Sequence, residues 1–225
     1  LDYWRQNDGP DRKGVTEMRH VEGLYAMWTD LMRRHPGLII DICASGGRRI
    51  DFETLRYGLP LWHSDRQCFG PQPEADQLQN GGLNRWLPLH GCGNFGLEPS
   101  YLFRSGMTAG NILCDSHVFG LIDGCDAQTE EALRRTVGLY KKTRPYMLGD
   151  FYPLFPHDVA ANQWYGYQFH RPDLNAGYAI VFRRPECSSD TATVHLEGVT
   201  PDADYEVSFE DNAETATVSG TALEA

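Results

Sequence analysis

Residues 38–65, LIIDICASGGRRIDFETLRYGLPLWHSD, leave this chain few ways to fold. Leu38 to Cys43 is an apolar run broken only by Asp41. It is too short for a helix and is flanked by Pro36-Gly37 and by the turn around Ser45-Gly46-Gly47. A run of this kind suits a parallel strand covered on both faces. Asp51 to Gly58 predicts a short helix, and Leu59 to His63 predicts the next strand. The two strand ends then carry Cys43 with its Ser-Gly-Gly turn, and Ser64-Asp65. In βα architectures ligand chemistry gathers at the carboxyl ends of strands, so one stretch suggests both the fold class and the site.

The remaining chain extends the pattern. Leu1 to Gly14 is polar and turn-rich. Thr16 is expected to cap a helix whose apolar positions Val21, Leu24, Tyr25, Trp28, Leu31 and Met32 follow helical spacing. Arg33-Arg34-His35 suits its negative end, and Pro36-Gly37 stops it. Further on, a helix is predicted over Glu74–Trp86, strands over Leu87–Cys92 and Ala109–Cys114, and a helix over Glu130–Lys142. This alternation of strand and helix describes βα units. Past Arg144-Pro145 the texture changes. Residues 146–160 read as a connector rich in Pro, Phe and Tyr. Trp164–His170, Gly177–Arg183, Thr191–Leu196, Tyr205–Phe209 and Thr215–Val218 then read as short antiparallel strands, with RPDLNAG closing a hairpin.

Composition narrows the function. A hydrophobic share of 41% supports a packed core rather than disorder. The formal net charge of −11, with no long Lys/Arg cluster, argues against a nucleic-acid surface. No run of about 18 apolar residues exists to span a membrane, and no signal-like segment is visible. A cytoplasmic location is therefore expected, although the chain starts at Leu1 rather than Met. Six cysteines at wide, irregular spacing do not form a small disulfide framework, so reduced thiols are expected.

CASGGRRID followed by LWHSD resembles the retaining α-galactosidases (melibiases) of glycoside hydrolase family 36. YWRQNDGPDRKGVTEMRHVEGLY, YLFRSGMTAG, TRPYMLGDFYPL and QFHRPDL resemble bacterial members in the same order, so the likeness runs from Leu1 to about Arg184. It implies an α/β fold: the second half of a TIM (β/α)8 barrel over 1–145, a connector over 146–160, and an incomplete antiparallel β-sandwich domain over 161–225. Four βα units cannot close an eight-stranded barrel, and half a barrel has open edges. The resemblance therefore implies that the first four units, with the strand bearing the nucleophile, precede Leu1, and that residues 1–225 alone are inactive. YWRQND mimics the nucleophile motif but aligns with the loop after it, so Asp8 is not expected to be the nucleophile.

The resemblance implies cleavage of terminal α-linked galactose by double displacement, with Asp65 as acid/base. Cys43, Ser45, Gly46 and Gly47 would wall the sugar subsite, with Trp62 beside them. An aspartic acid in this role must hold its proton near neutral pH, which burial beside Trp62 and an anionic nucleophile favour. By itself, an Asp at such a turn is more readily a helix cap, and glycines equally serve a plain strand-to-helix turn. Asp41 is expected to face inward with Cys43, Arg48 and Arg49 to pair with Asp41 or Asp51, and Asp115 is a further carboxyl near the fourth strand. Gln67-Cys68 fits one branch of the family, whereas Arg66 replaces an aromatic residue and bears on leaving-group specificity.

No cofactor or metal is expected. A zinc site from His90, Cys92, Cys114, Asp115 and His117 is the competing reading, although it lacks the paired spacing of structural zinc sites. A non-catalytic carbohydrate-binding or interaction module is another, suggested by Trp164, Tyr165 and Tyr167. On the same fold, α-N-acetylgalactosaminidases and transglycosylases are further alternatives. The expected partners are small α-galactosides, with no nucleic acid and no membrane. A homo-oligomer of the full-length enzyme is compatible with the sequence.

Overall fold

A computed structural model describes residues 2–97, 100–114 and 124–225. The chain forms two compact units, Leu1–His63 and Ser64–Ala225.

In the first unit, α1 (Asp2–Asn7) precedes the long α2 (Val15–Arg34). The expected cap at Thr16 is supplied from further back. Asp8 accepts the N–H of Gly14 at 2.5 Å and that of Thr16 at 2.8 Å. A carboxylate at a helix start satisfies otherwise orphaned amides and complements the positive end of the dipole. The inner face of α2 buries Trp28, while Val21 and Met32 stay exposed. Tyr25 stacks on Tyr57 with ring centroids 5.2 Å apart, and the Arg49 guanidinium lies over Trp28. Asp51 accepts the Thr54 N–H and hydroxyl at 2.9 and 2.7 Å, and also the Glu53 N–H. It therefore caps a turn, in place of the expected ion pair with Arg48 or Arg49.

The two expected strands of this unit shrink to a parallel bridge between Asp41 and Leu59. Leu59 N donates to Ile40 O at 2.9 Å, and Ile42 N donates to Leu59 O at 3.0 Å. Ile39, expected to be covered, is 70% exposed. A single short parallel pairing holds few ladder bonds. The helix expected over Asp51–Gly58 is only a 3-10 turn at Thr54–Arg56, because Asp51's local side-chain bonds favour a tight turn over continued helix.

In the second unit, β1 (Gly93–Asn94) and β2 (Ile112–Leu113) pair in parallel. Bonds from Gly110 N to His90 O, Ile112 N to Cys92 O and Cys114 N to Asn94 O extend this track from 90 to 94. The expected fourth strand is in place, and the third has moved two residues towards the C-terminus. Between β1 and β2 lies an unpredicted short helix, α4 (Tyr101–Ser105), capped by Ser100. Before them comes α3 (Pro73–Leu83), which stops short of Trp86, and after them α5 (Ala127–Thr143), capped by Asp126.

Two antiparallel sheets complete this unit. One has the order β3 (Asp150–Pro153), β4 (Trp164–Arg171), β5 (Ala176–Arg183). The other pairs β6 (Asp204–Ser208) with β7 (Thr215–Ser219), and α6 (Gly220–Glu224) follows. β3 occupies the segment read as connector. The strand expected at Thr191–Leu196 is absent, since Glu197 gives its backbone N–H and carbonyl to the side-chain amide of Gln168, at 2.9 and 2.7 Å. Phe103, Met107, Leu139 and Met147 share one core with Tyr165, Tyr167, Phe169, Ile180 and Phe182. Among the described residues no helix is long and apolar enough to cross a membrane.

Candidate active site

The glycine turn of the first unit is unusual in its backbone. Ser45 has φ +50° and Gly46 φ +61°. A non-glycine residue in this region costs about 1–3 kcal/mol, and such residues cluster at functional sites. Cys43 and Ser45 are exposed, Gly46 is buried and Gly47 half-buried. Gly47 donates its N–H to His63 O at 2.9 Å, and a Cβ at Gly47 would sit 2.7 Å from that oxygen. Only glycine lets the turn lie this close to the end of the Leu59–His63 segment. Asp41 accepts the Leu61 N–H at 3.1 Å and is exposed along with Cys43. Trp62 is half-buried on the same segment.

Asp65 opens the second unit, half-buried, at φ −84° and ψ 0°, in the sparsely populated bridge region where many active-site residues sit. Its carbonyl accepts the Cys68 N–H at 3.0 Å and starts a 3-10 turn over Arg66–Phe69. Its carboxylate accepts no capping bond from that turn. Ser64 Oγ takes the Arg66 N–H instead, at 3.1 Å. Ser64 thus caps the start of this turn.

Behind this turn lies a polar network that sequence reasoning missed. Gln67 is buried, and its Nε2 donates to Asp76 Oδ1 at 3.1 Å. Burial pushes the Asp76 carboxyl from 3.8 to about 6, against the pull of the Gln67 bond and of Arg66. The inward face of α3 is itself polar: Asp76, Gln77 and Asn80 are all buried. Gln77 Nε2 donates to Ser105 Oγ at 2.9 Å, and Asn80 Nδ2 donates to Ser105 O at 2.9 Å. Arg184, 1% exposed, donates to Gln77 Oε1 and to the carbonyls of Asp158 and Ala160. Burial pushes the Tyr101 hydroxyl, which donates to Glu74, up to about 12.

The described residues of the competing readings sit largely inside the core. His90 Nε2 is 3.0 Å from Asn84 Oδ1, and Cys92 Sγ donates to Gly106 O, both inside the core. Asp115 and His117 lie outside the described residues, among which no three His, Cys, Asp or Glu side chains gather into a metal-binding group. Tyr165 and Tyr167, read as a sugar-binding platform, are 3% and 2% exposed. Their rings pack within the sheet core, because β4 is covered on both faces over most of its length.

No family profile matches the chain. Probable α-galactosidase C of Aspergillus terreus is 26% identical over 220 residues, 93% of this chain and 28% of that protein. α-Galactosidase AgaA of Geobacillus stearothermophilus is 24% identical over 207 residues, 88% of this chain and 27% of that protein. The relatives of this chain are α-galactosidases. Among solved structures, family 36 α-galactosidase AgaA from Geobacillus stearothermophilus, in complex with raffinose, superposes with a TM-score of 0.71. It is 21% identical, covering 96% of this chain and 30% of that one. α-Galactosidase AgaB of the same organism gives 0.70 at 22% identity, covering 96% and 29%. These likenesses show the fold, α/β with antiparallel sheets. The chain spans just over a quarter of the length of the α-galactosidases it matches.

Proposed function

We propose that these residues are part of a retaining α-galactosidase of glycoside hydrolase family 36. In this reading residues 1–145 are the last four βα units of its barrel, 146–160 a connector and 161–225 part of a C-terminal β-sandwich. Two carboxyl groups about 5 Å apart flank the scissile bond in such enzymes. Asp65 is the acid/base, and the nucleophile stands on a barrel strand outside residues 1–225. In the first step the Asp65 proton passes to the glycosidic oxygen while the nucleophile takes the anomeric carbon. In the second, the Asp65 carboxylate takes a proton from water as the water oxygen attacks the anomeric carbon, which breaks the bond to the nucleophile and releases galactose with its original configuration. Cys43, Ser45, Gly46 and Gly47 wall the galactose subsite, and Trp62 packs beside it. The substrates are oligosaccharides ending in α-galactose, of which raffinose is the natural trial compound.

The observation that carries this reading is the turn at Asp65, half-buried with its backbone in the bridge region where many active-site residues sit, in a chain whose relatives are α-galactosidases. The test is Asp65→Gly in the full-length gene product. Hydrolysis of raffinose should fall by about 10²- to 10⁴-fold, the usual worth of one positioned proton donor. A nitrophenyl α-galactoside, whose leaving group needs little protonation, should still form the covalent intermediate. Azide should then restore turnover and yield α-galactosyl azide. A β-azide product would make Asp65 the nucleophile, and equal losses on both substrates without azide rescue would make it structural.

A further inference from the structure

The 3-10 turn that begins at Asp65 has a single buried side chain, Gln67, while Arg66, Cys68 and Phe69 face solvent. The way this turn is held therefore depends on what holds Gln67. Its Nε2 donates to Asp76 Oδ1 at 3.1 Å and lies 3.4 Å from Gln79 Oε1. Asp76 is 5% exposed and sits on the first turns of α3. We propose that Asp76 is a positioning residue for the acid/base: by anchoring Gln67 from α3, it fixes the turn from which Asp65 projects. This inference rests on the assignment of Asp65 given above.

A second observation points the same way. Gln67 Oε1 is buried with no hydrogen-bond partner. A buried acceptor left in this state costs about 1–3 kcal/mol. A proton on the Asp76 carboxyl would give that oxygen a donor, so that acid and amide exchange two bonds. Burial already favours that protonated form, against the attraction of Arg66 and with support from Glu74. The Cys92 thiol also faces the carboxyl and is held neutral by its own burial. Asp76 is thus suited to clasp an amide rather than to serve as a free charge.

The test uses the full-length gene product with raffinose and a nitrophenyl α-galactoside as paired substrates. Asp76→Leu and Gln67→Leu should each lower kcat on raffinose by about 10- to 100-fold, as a misplaced catalytic group does, with KM little changed. The same variants should lose less than about 3-fold in first-turnover release of nitrophenol, a step that makes little use of the acid. Asp76→Asn keeps an oxygen for Gln67 Nε2 and adds a donor for Gln67 Oε1, so it should recover most of the raffinose activity. Equal losses on both substrates, no loss on either, or an Asp76→Asn variant as deficient as Asp76→Leu would overturn the proposal. If Asp76→Leu fails to fold, the same substrate ratio is decided between Gln67→Leu and Asp76→Asn. Asp65→Gly runs alongside. A leaving-group split in Asp65→Gly but not in the Asp76 and Gln67 variants defeats the positioning role alone. Absence of the split in Asp65→Gly defeats the acid/base assignment, and the positioning role falls with it.

Discussion

Asp76→Asn should stabilise the protein, and by an amount that depends on pH. The Asp76 carboxyl ionises at about 6 in the folded chain and at 3.8 when exposed to water. Between these limits the folded state binds more protons than the unfolded state. Stability must therefore fall as pH rises from about 4 to about 6, and the full cost is present above that range. The interval corresponds to about 3 kcal/mol, and relaxation and water penetration around a buried carboxylate bring the realised figure nearer 2 kcal/mol. Asparagine has nothing to ionise and keeps the bond to Gln67 Nε2. At pH 7.5 the variant should be more stable than the wild type by about 2 kcal/mol and melt at a correspondingly higher temperature. Near pH 4 the two should coincide. Thermal unfolding of the full-length gene product at pH 4, 5, 6 and 7.5 reads the gap directly. A variant less stable than wild type at pH 7.5, or a gap that widens as pH falls, would refute the reasoning. Either result would mean that the ionised carboxyl is favoured by Arg66 rather than penalised by burial.

Two further substitutions probe the packing that supports this region. Gly81 on α3 faces Tyr165 of β4 so closely that an added Cβ would overlap the phenol oxygen; Gly81→Ala should cost about 1–3 kcal/mol by overpacking, measured by denaturant unfolding. Gln168→Leu removes both bonds to the Glu197 backbone and should cost about 2 kcal/mol, with faster amide exchange at Glu197 as the local readout.

Much of the fold was legible because its periodicities are local. The spacing of Leu24, Tyr25, Trp28 and Leu31 announces α2, and the strand patterns on either side of RPDLNAG place β4 and β5 to within about one residue of the observed ends. What escaped depends on partners distant in sequence. β3 has a Pro- and aromatic-rich composition and becomes a strand because β4 lies alongside it, Asp150 opposite His170 and Pro153 opposite Tyr167. Thr191–Leu196 has β character, but the segment's next residue is bound by a Gln168 side chain rather than by a strand. The inward face of α3 was invisible for the opposite reason. Amphipathic reading takes apolar residues as the buried stripe, and here the buried stripe is Asp76, Gln77 and Asn80. The available signal was PEADQLQNGG itself, a helix segment with one large apolar residue, Leu78, and therefore no apolar stripe to bury. In the site, the sequence placed Cys43, the glycine turn and Asp65 at segment ends, but not the left-handed backbone of Ser45, which no local pattern announces.

The distribution of work among the aspartates argues for which of them can do chemistry. Asp8, Asp41 and Asp51 each accept backbone N–H groups and hold a loop or a helix start. At Asp8 and Asp51 such bonds favour the ionised form. The Asp8 carboxyl lies below the ordinary carboxylate range through its bonds to Thr16 and Gly14, and that of Asp51 does so chiefly through the Thr54 amide. That is the wrong state for a general acid, which must arrive at the substrate carrying a proton. A strand end that needs both a cap and an acid meets a conflict if one carboxyl serves both purposes. In the proposed reading, a serine immediately before the aspartate takes the capping load: the Ser64 hydroxyl accepts the Arg66 amide without a charge to be trapped. The Ser-Asp order in WHSD thus has a physical reason of its own.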